Sequence, residues 1–364
     1  MVIDRHGTSR VAMPRLRVFS VWLEMEIHGM FNFAVCGCGK MAHWHAKELA
    51  KLSNVKIVAV VDPSPPHAAD FKKQHAPDAI IYESLQTLVD KPPCRVDAVV
   101  IITPHTLHYL QAKLALERGI HVLVEKPMVT NTLDAYDLWR ATKQTNRLLG
   151  ITFQSPYTAN FGYLAGARDA GLLGRVNAVN GFVSQNWLVG TANAWRQDPA
   201  LSGGGYMYDT GAHLLNAIMW LMNDPVVEVG CFYDKCGSPV DINGVAIIKF
   251  QNGAIGSIAI GGNCVSFKTE IDIQTDQMMI ITDQYSGRLE MYGREGKRLY
   301  PKVEQDWSPS AHTPHLNFVN AILGRESLRA PVRYGVLLSA LMDALYESGD
   351  SGKIVKVKPV PKDI

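Results

Sequence analysis

The sequence predicts an α/β protein of two domains: a doubly wound parallel sheet, then an α+β unit built on a large, mostly antiparallel open sheet. Three observations carry this reading. The chain has 364 residues, too many for one comfortable core and about right for two domains of roughly 150 residues each. From Phe31 to Phe153 short β-branched runs alternate with helical stretches, the pattern of βαβ units. After Phe153 the texture changes to alternating apolar and polar residues punctuated by turn signals, which argues for antiparallel strands.

Taken in order, the first domain, residues 31–153, has strands at Phe31 to Cys36, Lys56 to Val61, Ala79 to Tyr82, Asp97 to Thr103, His121 to Glu125 and Leu148 to Phe153. Helices fall between them at Ala42 to Leu52, Pro65 to Gln74, Leu85 to Val89, His105 to Arg118 and Leu133 to Thr145. Six strands and five crossovers complete a Rossmann-type domain. The second domain, residues 154–364, opens with a helix from Thr158 to Ala170. Strands follow at Val226 to Tyr233, Gly244 to Phe250, Ala254 to Ile260, Lys268 to Thr275, Met278 to Thr282 and Arg288 to Tyr292, with Asn252-Gly253 as a hairpin turn. The closing helices, Pro314 to Leu323 and Tyr334 to Ser348, are expected to cover one side of that sheet.

Composition excludes several function classes. A net charge of +2 without any Lys/Arg run of five gives no field for nucleic acid. No apolar stretch approaches the ~20 residues that span a bilayer, so no membrane partner is expected. The six cysteines are scattered, two of them (Cys36 and Cys38) inside a tight turn, which fits a reducing, cytoplasmic setting. Cys36 and Cys38 with His43 and His45 lack a second cysteine pair in range, so no metal is expected. Residues 1–30 carry Arg5, Arg10, Arg15 and Arg17 before the short apolar run Val18 to Leu23. They read as a disordered extension, or as a start assigned too early, with Met30 the natural beginning.

The turn Gly37-Cys38-Gly39-Lys40-Met41-Ala42 joins the first strand to the first helix. Gly37 permits the tight turn, Gly39 lets a pyrophosphate approach the backbone, and Ala42 allows close helix packing, with Lys40 and Met41 opening the helix whose dipole faces the anion. Asp62 ends the second strand, where a carboxylate accepts from ribose hydroxyls and repels a 2′-phosphate; NAD is thereby favoured over NADP. Thr103-Pro104 and Glu125-Lys126-Pro127 close the fourth and fifth strands at the ligand edge of the sheet, which makes Thr103, Pro104, Glu125 and Lys126 cofactor candidates and Lys126 a catalytic one. Further along, Ser202-Gly203-Gly204-Gly205 leads into an apolar helix carrying Asp209 and His213 four residues apart, hence on one helical face. The glycines let the chain lie against a ligand or another backbone segment.

Those residues resemble the glucose-fructose oxidoreductase / inositol dehydrogenase / MocA family from Phe31 to about Val357. The resemblance rests on the Gly37 turn, Thr103-Pro104 with His108 a turn later, His121 to Pro127, Trp195-Arg196, the triple glycine with Asp209 and His213, and Ala344 to Ser348 ahead of Gly352-Lys353. It implies hydride transfer between a secondary alcohol of a sugar, polyol or related compound and the nicotinamide. In that reading His213 is the general base, Lys126 stabilises the alkoxide, and Asp209 binds substrate or orients His213. It also implies a cofactor role for His108 and a pocket shaped by Trp195 and Arg196. Many members carry an Arg before an aromatic after the sixth strand. Here Phe153-Gln154-Ser155-Pro156-Tyr157 stands instead, leaving Gln154 and Tyr157 as substrate contacts on position alone. Two competing functions share this scaffold. One is a redox glycosidase that recycles bound NAD, recognised by aglycone release without net NADH; the other is a non-catalytic dinucleotide sensor, which has no use for Lys126, Asp209 and His213 together. The uncovered sheet face points to a homodimer or homotetramer.

Overall fold

The runs Ala98–Ile101 and 122–124 are apolar without alternation, and in the computed structural model they are buried on both faces, as a helix-covered parallel sheet requires. The structure describes residues 29–301 and 313–361; the expected N-terminal extension lies outside these, apart from Gly29 and Met30. The first sheet has six parallel strands in the order β3-β2-β1-β4-β5-β6. They are β1 (Phe31–Cys36), β2 (Val55–Val61), β3 (Ile80–Tyr82), β4 (Ala98–Ile101), β5 (His121–Val124) and β6 (Leu149–Ile151). The strand order reverses between β1 and β4, and the Gly37 turn stands at that switch point, where such sheets bind ligands.

The second sheet has nine strands in the order β14-β13-β12-β11-β7-β10-β9-β8-β15. Its centre, β7 (Val176–Asn186), is not among the strands expected from the sequence. Asn177, Asn180 and Gly181 read as turn residues, yet a Cβ at Gly181 would lie 2.7 Å from Ile218 Cδ1. The glycine is there because the Ala212–Met222 helix presses on the strand. β7 pairs in parallel with β10 (Ile255–Gly261) and antiparallel with β11 (Asn263–Thr275). β8 (Val226–Asp234), β9 (Asn243–Phe250), β12 (Met279–Thr282) and β13 (Leu289–Tyr292) lie within two residues of expectation, while β14 (Arg298–Leu299) and β15 (Val355–Lys356) are two-residue edges.

One face of this sheet is covered by the Ala212–Met222 helix, of which every residue except His213 is buried. The other face presents Phe182, Phe232, Val245, Ile247 and Ile255 to solvent. The closing helices depart from expectation. Pro314–Ile322 packs on the first domain, where Phe318 meets Phe33 edge-on at 6.4 Å. Val332–Ser351 covers β8 and also lies along the Thr132–Thr145 helix, with Asp343 accepting from Thr132. The two domains therefore share their C-terminal helices.

Candidate active site

A cleft of about 520 Å³ runs from Gly39, Lys40 and Met41 to Asp209 and His213. Its first end is built by the Gly-rich turn. Gly37 has φ +93°, and a Cβ there would sit 2.7 Å from the Ile102 carbonyl, so only glycine lets this turn pack against the end of β4. Around Gly39 a Cβ would meet nothing within 4 Å. Gly39 caps the Lys40–Ala50 helix without any side-chain cap, leaving first-turn N–H groups for an anion. Ala42 is fully buried against the sheet. Asp62 is held at the turn: Cys38 N–H donates to Oδ2 at 2.7 Å and Ser64 N–H to Oδ1 at 2.8 Å. Each carboxylate oxygen keeps acceptor capacity for a ribose hydroxyl. An uncapped helix start, open space over Gly39 and a fixed acid fit a dinucleotide.

At the other end Lys126, two residues after β5, reaches the segment Met207–Gly211, which is a π-helical turn rather than the α-helix expected. Such turns concentrate at functional sites. Lys126 Nζ donates to Asp209 Oδ1 at 2.6 Å and to the Asp209 carbonyl at 2.9 Å. Asp209 Oδ2 accepts from Trp187 Nε1 at 2.7 Å and from Arg196 Nε at 3.1 Å. With three donors on it, Asp209 anchors Lys126 and Arg196, and it makes no hydrogen bond to His213. The His213 ring has no hydrogen-bond partner among the described residues and edges Phe153 and Tyr285. Trp195 lines the cleft under the Arg196 guanidinium, 4.5 Å from ring to Cζ. Gln154 lines it as well.

A family model described as an oxidoreductase family with NAD-binding Rossmann fold matches residues 31–153, and the GFO/IDH/MocA C-terminal domain matches residues 163–297. The chain belongs to the GFO/IDH/MocA oxidoreductase family. Its dinucleotide is NAD. Over 360 residues the chain is 23% identical to D-glucoside 3-dehydrogenase of Escherichia coli (strain K12), covering 89% of this chain and 97% of that protein. Over 233 residues it is 28% identical to 1-carboxy-3-chloro-3,4-dihydroxycyclo hexa-1,5-diene dehydrogenase of Comamonas testosteroni, covering 64% of this chain and 58% of that one. The structure of levoglucosan dehydrogenase in complex with NADH has the same fold, with a TM-score of 0.80 at 18% identity over 91% of this chain and all of the other.

Within this GFO/IDH/MocA member some expected site residues stand elsewhere. His108 is fully buried, with its two ring nitrogens 2.8 Å from the Pro127 and Thr103 carbonyls; it ties the two turns together behind the cleft. The cleft histidine of that segment is His105, which bonds the Ser202 carbonyl at 3.0 Å and edges Trp195 at 4.8 Å. The two are three positions apart, and sequence spacing offers no signal for which one faces inward. Tyr157 is buried with its hydroxyl 3.0 Å from Asn317 Oδ1, outside the cleft lining, and Pro104 is likewise not part of that lining, although Thr103 is. The triple glycine serves backbone packing. A Cβ at Gly205 would lie 1.9 Å from the Asp241 carbonyl oxygen, and Asp241 accepts the Gly205 and Met207 N–H groups. Trp187, the buried donor to Asp209, precedes the triple glycine by 16 residues and carries no motif of its own.

The electrostatics follow from burial and charge. Burial, reinforced by the Lys126 ammonium, pushes the His213 imidazole down to about 3, so it is neutral at pH 7. His105 is likewise pushed down to about 3 by burial. Burial works against the charge of Asp209, but Lys126 and Arg196 outweigh it and hold the carboxyl well below the usual range. Burial also opposes the charge of Glu125, and there the His45 hydrogen bond, the Lys126 charge and the Thr152 hydrogen bond prevail. Glu125 lines the cleft, accepting from Thr152 Oγ1 at 2.7 Å and from Lys126 N–H at 3.1 Å. Among the described residues no three metal-ligating side chains converge, and no helix is long and apolar enough to cross a membrane.

Proposed function

We propose that this protein is an NAD-dependent dehydrogenase that oxidises a secondary alcohol of a sugar, polyol or related hydroxylated compound, or reduces the matching ketone, with Lys126 and His213 at the reacting oxygen. The observation that carries the reading is the meeting, in one cleft, of an anchored ammonium, an unpartnered neutral imidazole and the uncapped helix start at Gly39. The names of its relatives, a glucoside dehydrogenase and a levoglucosan dehydrogenase, support the substrate class.

Bound NAD+ supplies the hydride acceptor. Two of the three Lys126 N–H groups are spent on Asp209, which leaves one to donate to the substrate oxygen. That donor stabilises negative charge as it develops, and Asp209 keeps it from swinging out. His213, neutral and free of other hydrogen bonds, takes the hydroxyl proton. Arg196 and Trp187 hold Asp209 and so act through Lys126. Gln154 and Trp195 are the side chains offered to the remaining hydroxyls. A panel of sugars, polyols and glycosides with NAD+ tests the reading by NADH absorbance, with aglycone release followed in parallel. Net NADH is the expected result; turnover of glycosides without NADH would overturn it.

The exposed Phe182, Phe232, Val245, Ile247 and Ile255 on one sheet face support self-association through that face, as a homodimer or homotetramer. Sedimentation velocity of the wild type against Ile247→Lys tests this, a dissociated variant being the expected outcome. Six cysteines without a disulfide support a reducing, cytoplasmic setting.

A further inference from the structure

Behind the cleft two histidines form a buried chain that the mechanism above does not use. Glu125 Oε1 is 2.9 Å from His45 Nε2, and His45 Nδ1 is 2.8 Å from His315 Nε2. Both rings are fully buried, and His315 Nδ1 has no hydrogen-bond partner among the described residues. His45 comes from the Lys40–Ala50 helix and His315 from the Pro314–Ile322 helix of the other half of the chain. Trp44 edges both rings, at 4.8 and 5.3 Å. The charged groups facing the chain are Glu125 and, beside it, Lys126 at one end, with Lys51, itself paired to Glu48, toward His315.

Hydrogen-bond counting limits the protonation states of this chain. The ionised Glu125 requires a hydrogen on His45 Nε2. One hydrogen then lies between the two rings. If it sits on His315 Nε2, both rings are neutral and His315 Nδ1 carries a lone pair. If it sits on His45 Nδ1, His45 is an imidazolium beside Glu125, and His315 Nδ1 must carry a proton to stay neutral. Addition of one proton at His315 Nδ1, with transfer of the shared hydrogen from His315 Nε2 to His45 Nδ1, thus converts a lone carboxylate into an ion pair. No other bond changes. Burial favours the neutral His315 ring.

We propose that Glu125, His45 and His315 form a one-proton store that balances the charge of the nicotinamide in the cleft. Glu125 faces the cleft between Lys126 and Thr152, the end at which the reacting ring must meet Lys126 and His213. The oxidised ring is a cation and complements the bare carboxylate; the reduced ring is neutral and leaves a buried charge that the stored proton compensates. His45 and His315 are then positioning residues acting through Glu125. The inference rests on NAD binding and is independent of the substrate class.

The test uses the full-length protein and the two nucleotides alone. Calorimetric binding of NAD+ and of NADH, each in two buffers of different ionisation heat, gives the protons exchanged on binding. The expected result is that NADH binding takes up close to one proton more than NAD+ binding within some pH window, so that the ratio of the two dissociation constants changes up to about tenfold per pH unit there. In His315→Phe, which keeps a ring against Trp44 and removes both nitrogens, that difference disappears while both nucleotides still bind. Equal proton counts for the two nucleotides in the wild type would overturn the proposal without any variant. So would a difference that survives in His315→Phe, which would assign the proton to another group such as His213. Should His315→Phe not fold, nitrogen-detected NMR of the wild-type histidines decides: the His45 ring changes from one protonated nitrogen to two between the NAD+ and NADH complexes, or the store does not exist.

Discussion

Replacing Lys126 by methionine removes the ammonium and keeps most of the apolar stem. The loss of one preorganised donor aimed at a developing oxyanion costs about 2.7–4 kcal/mol, or roughly 10²–10³ in kcat. The structural cost is smaller. Breaking a buried ion pair outright costs about 3–5 kcal/mol because a charge is stranded, but here Trp187 Nε1 and Arg196 Nε still hold Asp209 at 2.7 and 3.1 Å. The melting temperature should therefore fall by only a few degrees, at about 2–4 °C per kcal/mol for a chain of this order. Among the described residues the Lys126 ammonium hydrogen-bonds Asp209 and not the Gly37 turn, so NADH affinity, measured by fluorescence, should change less than about threefold. A second readout follows from His213. The Lys126 charge is the second cause of its lowered basicity after burial, so the acid limb of the kcat/KM profile should move to higher pH in Lys126→Met. Turnover within about threefold of wild type on the substrate identified by NADH formation would refute the assignment, and so would a loss that tracks NADH affinity instead of kcat.

Asp62→Ala removes the acceptor that fixes the Cys38 and Ser64 N–H groups; NADH should bind at least about tenfold more weakly, at about 1.5 kcal/mol or more for each charge-assisted hydrogen bond lost, and the preference over NADPH should shrink in the same titration. Gly205→Ala places a methyl 1.9 Å from the Asp241 carbonyl, which cannot relax without moving β9 or the π turn; the variant should be unfolded or insoluble at 25 °C by circular dichroism. Acid stability has a definite sign. His105 takes up a proton in the unfolded chain below about pH 6.5 and in the folded protein only near 3, so the folded state loses about 1.4 kcal/mol per pH unit as pH falls through that window. Urea midpoints at pH 7 and 5 should therefore differ by less in His105→Gln than in the wild type, and equal differences would contradict it.

What the sequence made legible is governed by how local each cause is. The β1-turn-helix unit could be read because strand, glycines and helix are contiguous, and Gly37 and Gly39 do different jobs visible in their own φ angle and surroundings. The parallel strands were readable since burial on both faces leaves an uninterrupted apolar run, as in β4. β7 was not, because its glycine and asparagines answer to a helix some 30 residues later and to neighbouring strands. The helix Pro314–Ile322 shows the same difficulty: its amphipathic pattern says that one face is buried, but not that Phe318 is buried against Phe33 of the first domain.

The same logic separates residue identity from residue role in the site. Lys126, Asp209 and His213 were picked out as a group, and all three line one cleft. Four-residue spacing puts Asp209 and His213 on one helical face and the family resemblance implies that Asp209 binds substrate or orients His213, yet the π turn sets the carboxylate among Lys126, Trp187 and Arg196. Two of those donors come from chain segments that no local pattern links to it. A carboxylate so occupied has little capacity left to accept from a substrate hydroxyl, and it pairs with the Lys126 ammonium where both side chains are largely buried. The His213 imidazole, without a hydrogen-bond partner among the described residues, is then the group proposed to accept a proton. Division of labour between an acid that never releases its cations and a histidine that holds none follows from counting donors at each atom, and that count requires the fold.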